Sequence, residues 1–389
     1  MVEAQVLGSF ANDHWRVLNA PDDEEDAAKA LREAAIGALR DELGLITNAE
    51  NLVVLSGLGT SLDIANSVET SKKAPRMSDL WAKVQELASF TTAEPKLDAD
   101  IIATGNLEHV LSDAQARFAI NNDGDLKTFI AKAEEVIWTS CSFIDDNSKV
   151  DSHELFLRKV ARRSTRLQRT QIFTTNYDLA FEAAARGARF NVIDGFGYGG
   201  QYFDGASFDL DYVRRRTNEP LALEPSVFHL LKLHGSVNWD ASGKEVQKVA
   251  GYAKPKNPVL IYPSSAKYQL SFQQPYLEFM SRFQIALRQP DVGLIVVGSG
   301  LNDEHLVAPI EAALRSNVGL RAVFVTPDAR DKKRSETFAW IEDLINKGDK
   351  RLTLLRGTFD DLVKHLPDMP TREERDAHAE RISQTRGKK

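Results

Sequence analysis

Four short stretches hold residues whose types could do chemistry, and each stands at the end of an apolar run. The first, Ser56-Gly57-Leu58-Gly59-Thr60-Ser61, follows Leu52-Val53-Val54-Leu55. A strand that ends in glycines and opens a helix brings bare backbone N–H groups to a helix N-terminus. A diphosphate is favoured there, because the N–H groups donate and the helix dipole attracts negative charge. Thr60 and Ser61 could add hydroxyl contacts. Leu62 occupies the place of the third glycine of a dehydrogenase fingerprint, so the turn is not a standard dinucleotide motif. A tight turn without a ligand is the competing reading.

The second stretch is Thr174-Thr175-Asn176-Tyr177-Asp178, in which Asn176 and Asp178 could hydrogen-bond a carboxamide or a ribose. Asp178 could equally be the N-cap of the following helix. The third is Leu231-Lys232-Leu233-His234-Gly235, where a glycine lets the chain turn and leaves the imidazole of His234 facing outward as a general base near neutral pH. A structural histidine is the alternative. The fourth, Val297-Gly298-Ser299-Gly300-Leu301-Asn302-Asp303, is a second strand–glycine–helix junction that suits an anion or a ribose. Val323–Asp328 repeats the strand-end logic with weaker chemistry.

The elements that must position these residues read as an α/β fold: a doubly wound, mainly parallel, Rossmann-like sheet with a helical insertion and C-terminal helices. Asp22–Leu43 reads as a helix capped by Gly44, and the first strand and glycine turn complete a segment 1–71. Long amphipathic patterns containing Leu80, Trp81, Phe129 and Ile137 mark 72–169 as the insertion. Over 170–366 short apolar runs alternate with helical ones. Strands are expected at 172–174, 190–193, 229–233, 259–261, 294–297, 322–325 and 352–355, with helices at 179–185, 274–287, 303–315 and 335–345. In such a sheet, ligands bind beyond the carboxyl ends of the strands. The charged stretch 367–389 reads as a mobile tail. Gly195–Phe203, rich in glycine and aromatics, suits a flap over a ligand or a plain surface loop.

Composition narrows the partners. The formal net charge is −7 over 389 residues, which argues against direct nucleic-acid binding or adhesion to a membrane surface. No apolar run reaches transmembrane length, and the first residues carry no secretory pattern, so a cytoplasmic location is expected. Cys141 is the one cysteine, set in an apolar helical stretch as a buried thiol, and the histidines show no metal spacing, so no metal site is expected. Arg158, Arg162, Arg166 and Arg169 fall on one face if 158–169 is helical, and a solvated or ion-paired face is the expectation.

Taken in order, the four stretches resemble the sirtuin (SIR2-like) family. Gly57–Ser61 is similar to its Gly-Ala-Gly-x-Ser turn, with Leu58 in place of alanine. Thr174, Asn176 and Asp178 match its Thr-Gln-Asn-x-Asp element. Leu233-His234-Gly235 resembles the segment of its catalytic histidine, and Val297–Asp303 its later ribose-binding turn. The resemblance implies NAD⁺ as substrate, with no other cofactor. Gly57, Leu58, Gly59, Thr60, Ser61, Thr175, Gly298, Ser299 and Asn302 would hold it, and Asn176, Asp178 and His234 would do the chemistry. One cysteine cannot build the four-cysteine zinc ribbon of deacylating sirtuins. Leu62-Asp63-Ile64-Ala65-Asn66 also replaces their Gly-Ile-Pro-Asp-Phe-Arg stretch. Both departures resemble the bacterial SIR2-like branch of anti-phage systems, which implies hydrolysis of NAD⁺ to nicotinamide and ADP-ribose. They further imply a homo-oligomer, or a partner such as a HerA-type hexameric ATPase or another phage sensor, as the switch. A deacylase or ADP-ribosyl transferase, and an idle NAD⁺- or ADP-ribose-binding module, are the alternatives.

Overall fold

Apolar runs become central strands here because both faces of the sheet are covered. All six residues of Asn51–Ser56 and all six of Val292–Val297 are buried, as in parallel sheets flanked by helices. The computed structural model describes residues 3–8, 14–19, 26–197, 202–217, 220–260, 274–332 and 334–368. Its strands, numbered along the chain, begin with β1 (Gln5–Gly8), β2 (Arg16–Val17), β3 (Asn51–Ser56), β4 (Ala65–Asn66), β5 (Ser148–Lys149) and β6 (Gln171–Thr174). Then come β7 (Asn191–Ile193), β8 (Val213–Arg214), β9 (Ala222–Leu223), β10 (Val227–Lys232) and β11 (Gly235–Asp240). The last are β12 (Gln247–Lys248), β13 (Pro258–Leu260), β14 (Val292–Val297), β15 (Arg321–Val325) and β16 (Leu352–Arg356).

The main sheet has the order β2-β1-β16-β15-β14-β3-β6-β10-β7. Every pairing from β16 to β7 is parallel, and β1 and β2 add an antiparallel edge. The expected α/β, mainly parallel architecture is therefore what forms. Alternate residues of β3 feed opposite layers. Leu52 and Val54 pack with Leu39, Leu43 and Ile46 of helix Asp26–Asn48. Val53 and Leu55 pack with Phe279 and Phe283 of helix Tyr276–Leu287 and with Leu306 and Ile310 of helix Glu304–Ser316.

From β3 the chain builds β6, β7 and β10 on one side, then crosses to build β14, β15 and β16 on the other. The sheet's switch point thus lies between β3 and β14, whose last residues, Ser56 and Val297, are register partners. A doubly wound sheet has its ligand crevice there, beyond the strands' carboxyl ends. Between β3 and β6 come helices that include Met77–Gln85, Leu107–Asn121, Gly124–Cys141 and Asp151–Val160.

Several expectations change. Helix Asp26–Asn48 runs through Gly44 and ends four residues later, so Gly44 is not its cap. After Gly57 the chain makes one 3-10 turn, Leu58–Thr60, and the next α-helix begins only at Met77. The helix that starts at Asp151 stops at Val160, so the basic run does not share a helical face. Instead Arg163 is buried and donates to the carbonyls of Ala49 and Gln168, while Arg169 pairs with Asp211 at 2.8 Å. The strand at 258–260 belongs to a separate three-stranded antiparallel sheet, β12-β11-β13. Residues 22–25 of the expected first helix, Ile261, positions 198–201 of the glycine-aromatic loop and 369–389 of the tail lie outside the described residues. No helix among the described residues is long and apolar enough to cross a membrane.

One packing feature has a pH signature. His153 of helix Asp151–Val160 is wedged between Phe181, at 5.0 Å, and Phe359, at 4.8 Å. Neither of its ring nitrogens meets a partner among the described residues. Burial lowers its pKa from 6.5 to about 3. Between those values the unfolded chain binds a proton that the folded chain refuses, so stability drops as pH falls through that window. The loss is about 1.4 kcal/mol per pH unit for a single group. His153→Phe should flatten the fall of the urea midpoint between neutral pH and about pH 5 by roughly that slope; an unchanged slope would show that His153 does not stay neutral in the fold.

Candidate functional site

Two glycine loops meet at the switch point with backbone against backbone. The Gly57 N–H donates to the Val297 carbonyl at 3.0 Å, and the Gly59 N–H to the Gly298 carbonyl at 2.8 Å. A Cβ on Gly57 would stand 2.6 Å from the Gly298 oxygen, and a Cβ on Gly59 2.6 Å from the Gly298 Cα. Gly298 itself has φ +67°, and its Cβ would lie 2.6 Å from the Thr60 nitrogen. Glycine is required at all three positions by this contact alone.

The contact corrects the expectation of bare N–H groups. Besides Gly57 and Gly59, Thr60 N–H donates to Gly57 O at 3.0 Å and Ser61 N–H to Leu58 O at 2.9 Å. Thr60 and Ser61 are buried, and their hydroxyls turn inward. Leu58 and Gly59 are the part of the turn left accessible to solvent, Leu58 being 37% exposed.

That inward side holds the most concentrated polar chemistry of the site. Asn176 Nδ2 donates to Gly57 O at 3.0 Å and to Ser61 Oγ at 3.0 Å, with Thr60 Oγ1 at 3.2 Å. Ser61 Oγ donates to Asp178 Oδ2 at 2.9 Å, and Ser56 and Thr60 share a hydroxyl contact of 2.9 Å. Asp178 Oδ1 accepts the Ala180 N–H at 2.9 Å, the first N–H of helix Ala180–Ala188, although the N-cap position itself falls on Leu179 and not, as expected, on Asp178. Burial pushes the Asp178 carboxyl up, against the opposing pull of the Lys232 charge and these two hydrogen bonds. Thr175 joins the same junction by donating its N–H to Ser56 O at 3.0 Å.

Lys232, the last residue of β10, went unnoticed in the sequence. It is 2% exposed. Its ammonium donates to the carbonyls of Tyr177 and Asp178 and pairs with Glu182 at 3.1 Å. Two of these contacts fasten the loop that carries Asn176 and Asp178, and the third ties it to the helix that follows. A lone lysine inside Leu-Leu-Lys-Leu was the available signal, since a charge on a fully buried strand needs partners.

His234 follows directly, beyond β10. Leu233 N–H donates to Thr174 O at 2.8 Å, setting the end of β10 beside the end of β6. Gly235 turns the chain with φ +96°, and a Cβ there would run into Val259 and Leu260. The His234 ring, 5% exposed, meets His305 with Nε2 to Nε2 at 2.9 Å. His305 was also missed; it sits in the first turn of helix Glu304–Ser316. Past β14, Ser299 Oγ accepts the Leu301 N–H at 3.3 Å, and Asn302 is exposed. Asn302 and Gly300 line a cavity of about 230 Å³ with Thr326, Asp328 and Arg334.

Two other features resolve simply. Cys141 is buried, and burial pushes its thiol up to about 12, the state of an inert cysteine. In the described part of Gly195–Phe203, Phe196 packs on Trp239 and Phe203 on Phe279. Among the described residues no cluster of three or more His, Cys, Asp or Glu has metal-binding geometry.

The architecture is that of a doubly wound α/β domain with its polar cluster at the switch point. Residues 170–344 match the SIR2-like domain family, a span that includes Asn176, Asp178, His234, Gly298, Ser299 and Asn302 but not the turn at 57–61. Among solved structures, the chain is similar to a Sir2 homologue in complex with NAD, with a TM-score of 0.43 and 15% identity over 84% of this chain and 93% of that one. It is similar also to a Sir2 homologue mutant in complex with ADP-ribose, with a TM-score of 0.42 and 15% identity over 84% and 95%. No curated protein matches the chain.

The interlock between the loops can be tested without a ligand. Gly298→Ala should lower stability by about 2 kcal/mol or more, from its left-handed backbone and the collision with Thr60. Gly300→Ala is the control, since its Cβ meets only the movable end of the Asn302 side chain. Equal urea midpoints for the two variants would mean that the loops do not bear on each other as described.

Proposed function

We propose that the chain binds NAD⁺ across this crevice and hydrolyses its nicotinamide–ribose bond. The observation that carries the reading is the buried cluster that fastens Asn176 and Asp178 to the turn after β3, at the switch point of a chain with a SIR2-like domain. The diphosphate would lie against Leu58 and Gly59, the exposed edge of the turn. The adenine ribose would lie near Gly298, Ser299 and Asn302, where the cavity opens.

Cleavage passes through an oxocarbenium-like state, so the site must orient the ribose, offset positive charge and admit water. With its amide nitrogen held by Gly57 and Ser61, Asn176 would turn its carbonyl oxygen toward the water and the ribose. Both oxygens of Asp178 already hold hydrogen bonds, so its part is to offset the developing charge rather than to grip the carboxamide. His234 would take a proton from the water or a ribose hydroxyl. Hydrolysis is favoured over deacylation because one cysteine cannot build a four-cysteine zinc ribbon. Retention of Asn176 and His234 together favours an enzyme over an idle binding module.

The setting we propose, from the resemblance, is NAD⁺ depletion in anti-phage defence, switched on by self-assembly or by a partner such as a HerA-type ATPase. Nicotinamide and ADP-ribose released by the purified chain, alone and with such a partner, test the chemistry. His234→Ala and Asn176→Ala should each slow release by about 10²–10⁴-fold. His234→Ala should leave the thermal melt intact, while Asn176→Ala, which strips buried partners from Gly57 O and Ser61, should lower it without unfolding the chain. Wild-type rates in either variant would remove that residue from the mechanism.

A further inference from the structure

His234 and His305 reach each other from opposite sides of the crevice. His234 stands at the end of β10, and His305 in the helix that follows β14. Strands β6 and β3 lie between, a span of about 14 Å at ordinary strand spacing. Their rings are 5.1 Å apart, and the Nε2 atoms 2.9 Å. A hydrogen bond between two imidazole nitrogens needs a proton on one and a lone pair on the other. With His234 as donor, its Nδ1 carries the lone pair and His305 Nε2 accepts.

The two rings differ in their access to solvent. His234 is buried, whereas His305 is half-buried and lines an open groove of about 660 Å³ between helices Tyr276–Leu287 and Glu304–Ser316. The groove also carries the exposed carboxylate of Glu304, together with Gln284 and Ser281. His305 sits in the first turn of helix Glu304–Ser316, where a proton that arrives can be handed to water in the groove.

The chemistry supplies such a proton. Resting on the hydrolase reading above, the balance is that an O–H bond of water breaks and its oxygen bonds the ribose anomeric carbon. The carbon–nitrogen bond breaks, and its electron pair stays on the pyridinium nitrogen, which leaves as neutral nicotinamide. One proton remains at every turnover. We propose that His305 is the relay that exports it: His234 takes up the proton, passes its Nε2 proton to His305 Nε2, and His305 hands one on to the groove that it lines. His305 acts through His234 and touches no substrate.

The test uses the full chain under conditions in which the wild type releases nicotinamide. His305→Ala should lower kcat by about 10²-fold, as for loss of a positioned proton-transfer group, at unchanged KM and thermal melt. Added imidazole, entering by the groove, should restore much of the rate. His305→Gln keeps a hydrogen-bonding side chain that cannot relay, and should be as slow as His305→Ala. Wild-type kcat in His305→Ala, full activity in His305→Gln, or a loss that imidazole leaves untouched would each overturn the relay. A wild type that cleaves no NAD⁺, alone or with a partner, would instead overturn the hydrolase reading on which the relay rests.

Discussion

The structure depends on the absence of three β-carbons. Where β3 and β14 end, the loops that follow press so closely that Gly57, Gly59 and Gly298 leave no room for a side chain on any of them. The hydrogen bonds between the loops continue the β3–β14 ladder one step beyond the sheet. This ties the two halves of a doubly wound fold at the point where the topology would otherwise let them part. Asn176 then reads the result from the β6 side, because its amide can reach Gly57 O and Ser61 Oγ only when the turn is held in that shape.

Burial turns that geometry into rigidity. Ser56, Thr60, Ser61, Asn176, Asp178 and Lys232 are each no more than 7% exposed. A buried donor or acceptor left without a partner loses about 1–3 kcal/mol. The cluster is therefore stable only when its members are paired together, and displacing one strips partners from its neighbours. Lys232 extends the same logic to the backbone: it anchors the carbonyls on either side of the Tyr177–Asp178 link and balances its charge on Glu182. Asn176 and Asp178 are thus held in place by the fold itself, which is how a site gains from preorganisation.

Much of this was legible in the sequence, for reasons that can be stated. Strands β3, β14 and β15 show as unbroken apolar runs because helices cover both of their faces. Chemistry placed at their ends follows from the parallel topology. The glycine turn was legible as a turn, but not for what fills the space its glycines leave. Glycine spacing cannot distinguish a phosphate from a second backbone, and here Gly298, some 240 residues away in sequence, supplies the backbone. Gly44 looked like a helix end because glycine so often is one, yet Leu43 and Ile46 pack on either side of it and carry the helix onward. The basic run after Arg158 kept a helical spacing with no apolar face after Val160, so nothing held it helical. His305 is a single polar residue 71 positions from the ring it meets; only the fold brings the two together.

The two sides of the crevice are built differently, and that difference bears on recognition. On the β3–β6–β10 side, polar groups are buried and paired. On the β14–β15 side, Gly300, Asn302 and Asp328 are exposed around the neighbouring cavity, while Thr326 beside them is buried and Arg334 is tied to Glu342 and the Ala329 carbonyl. Asn302 and Asp328 can exchange water for a new partner without breaking a buried network, so this side is adjustable where the other is not. In the function proposed above, a dinucleotide would set its reactive end against the rigid half and its handle in the open one. The interlocked glycines fix the distance between the two.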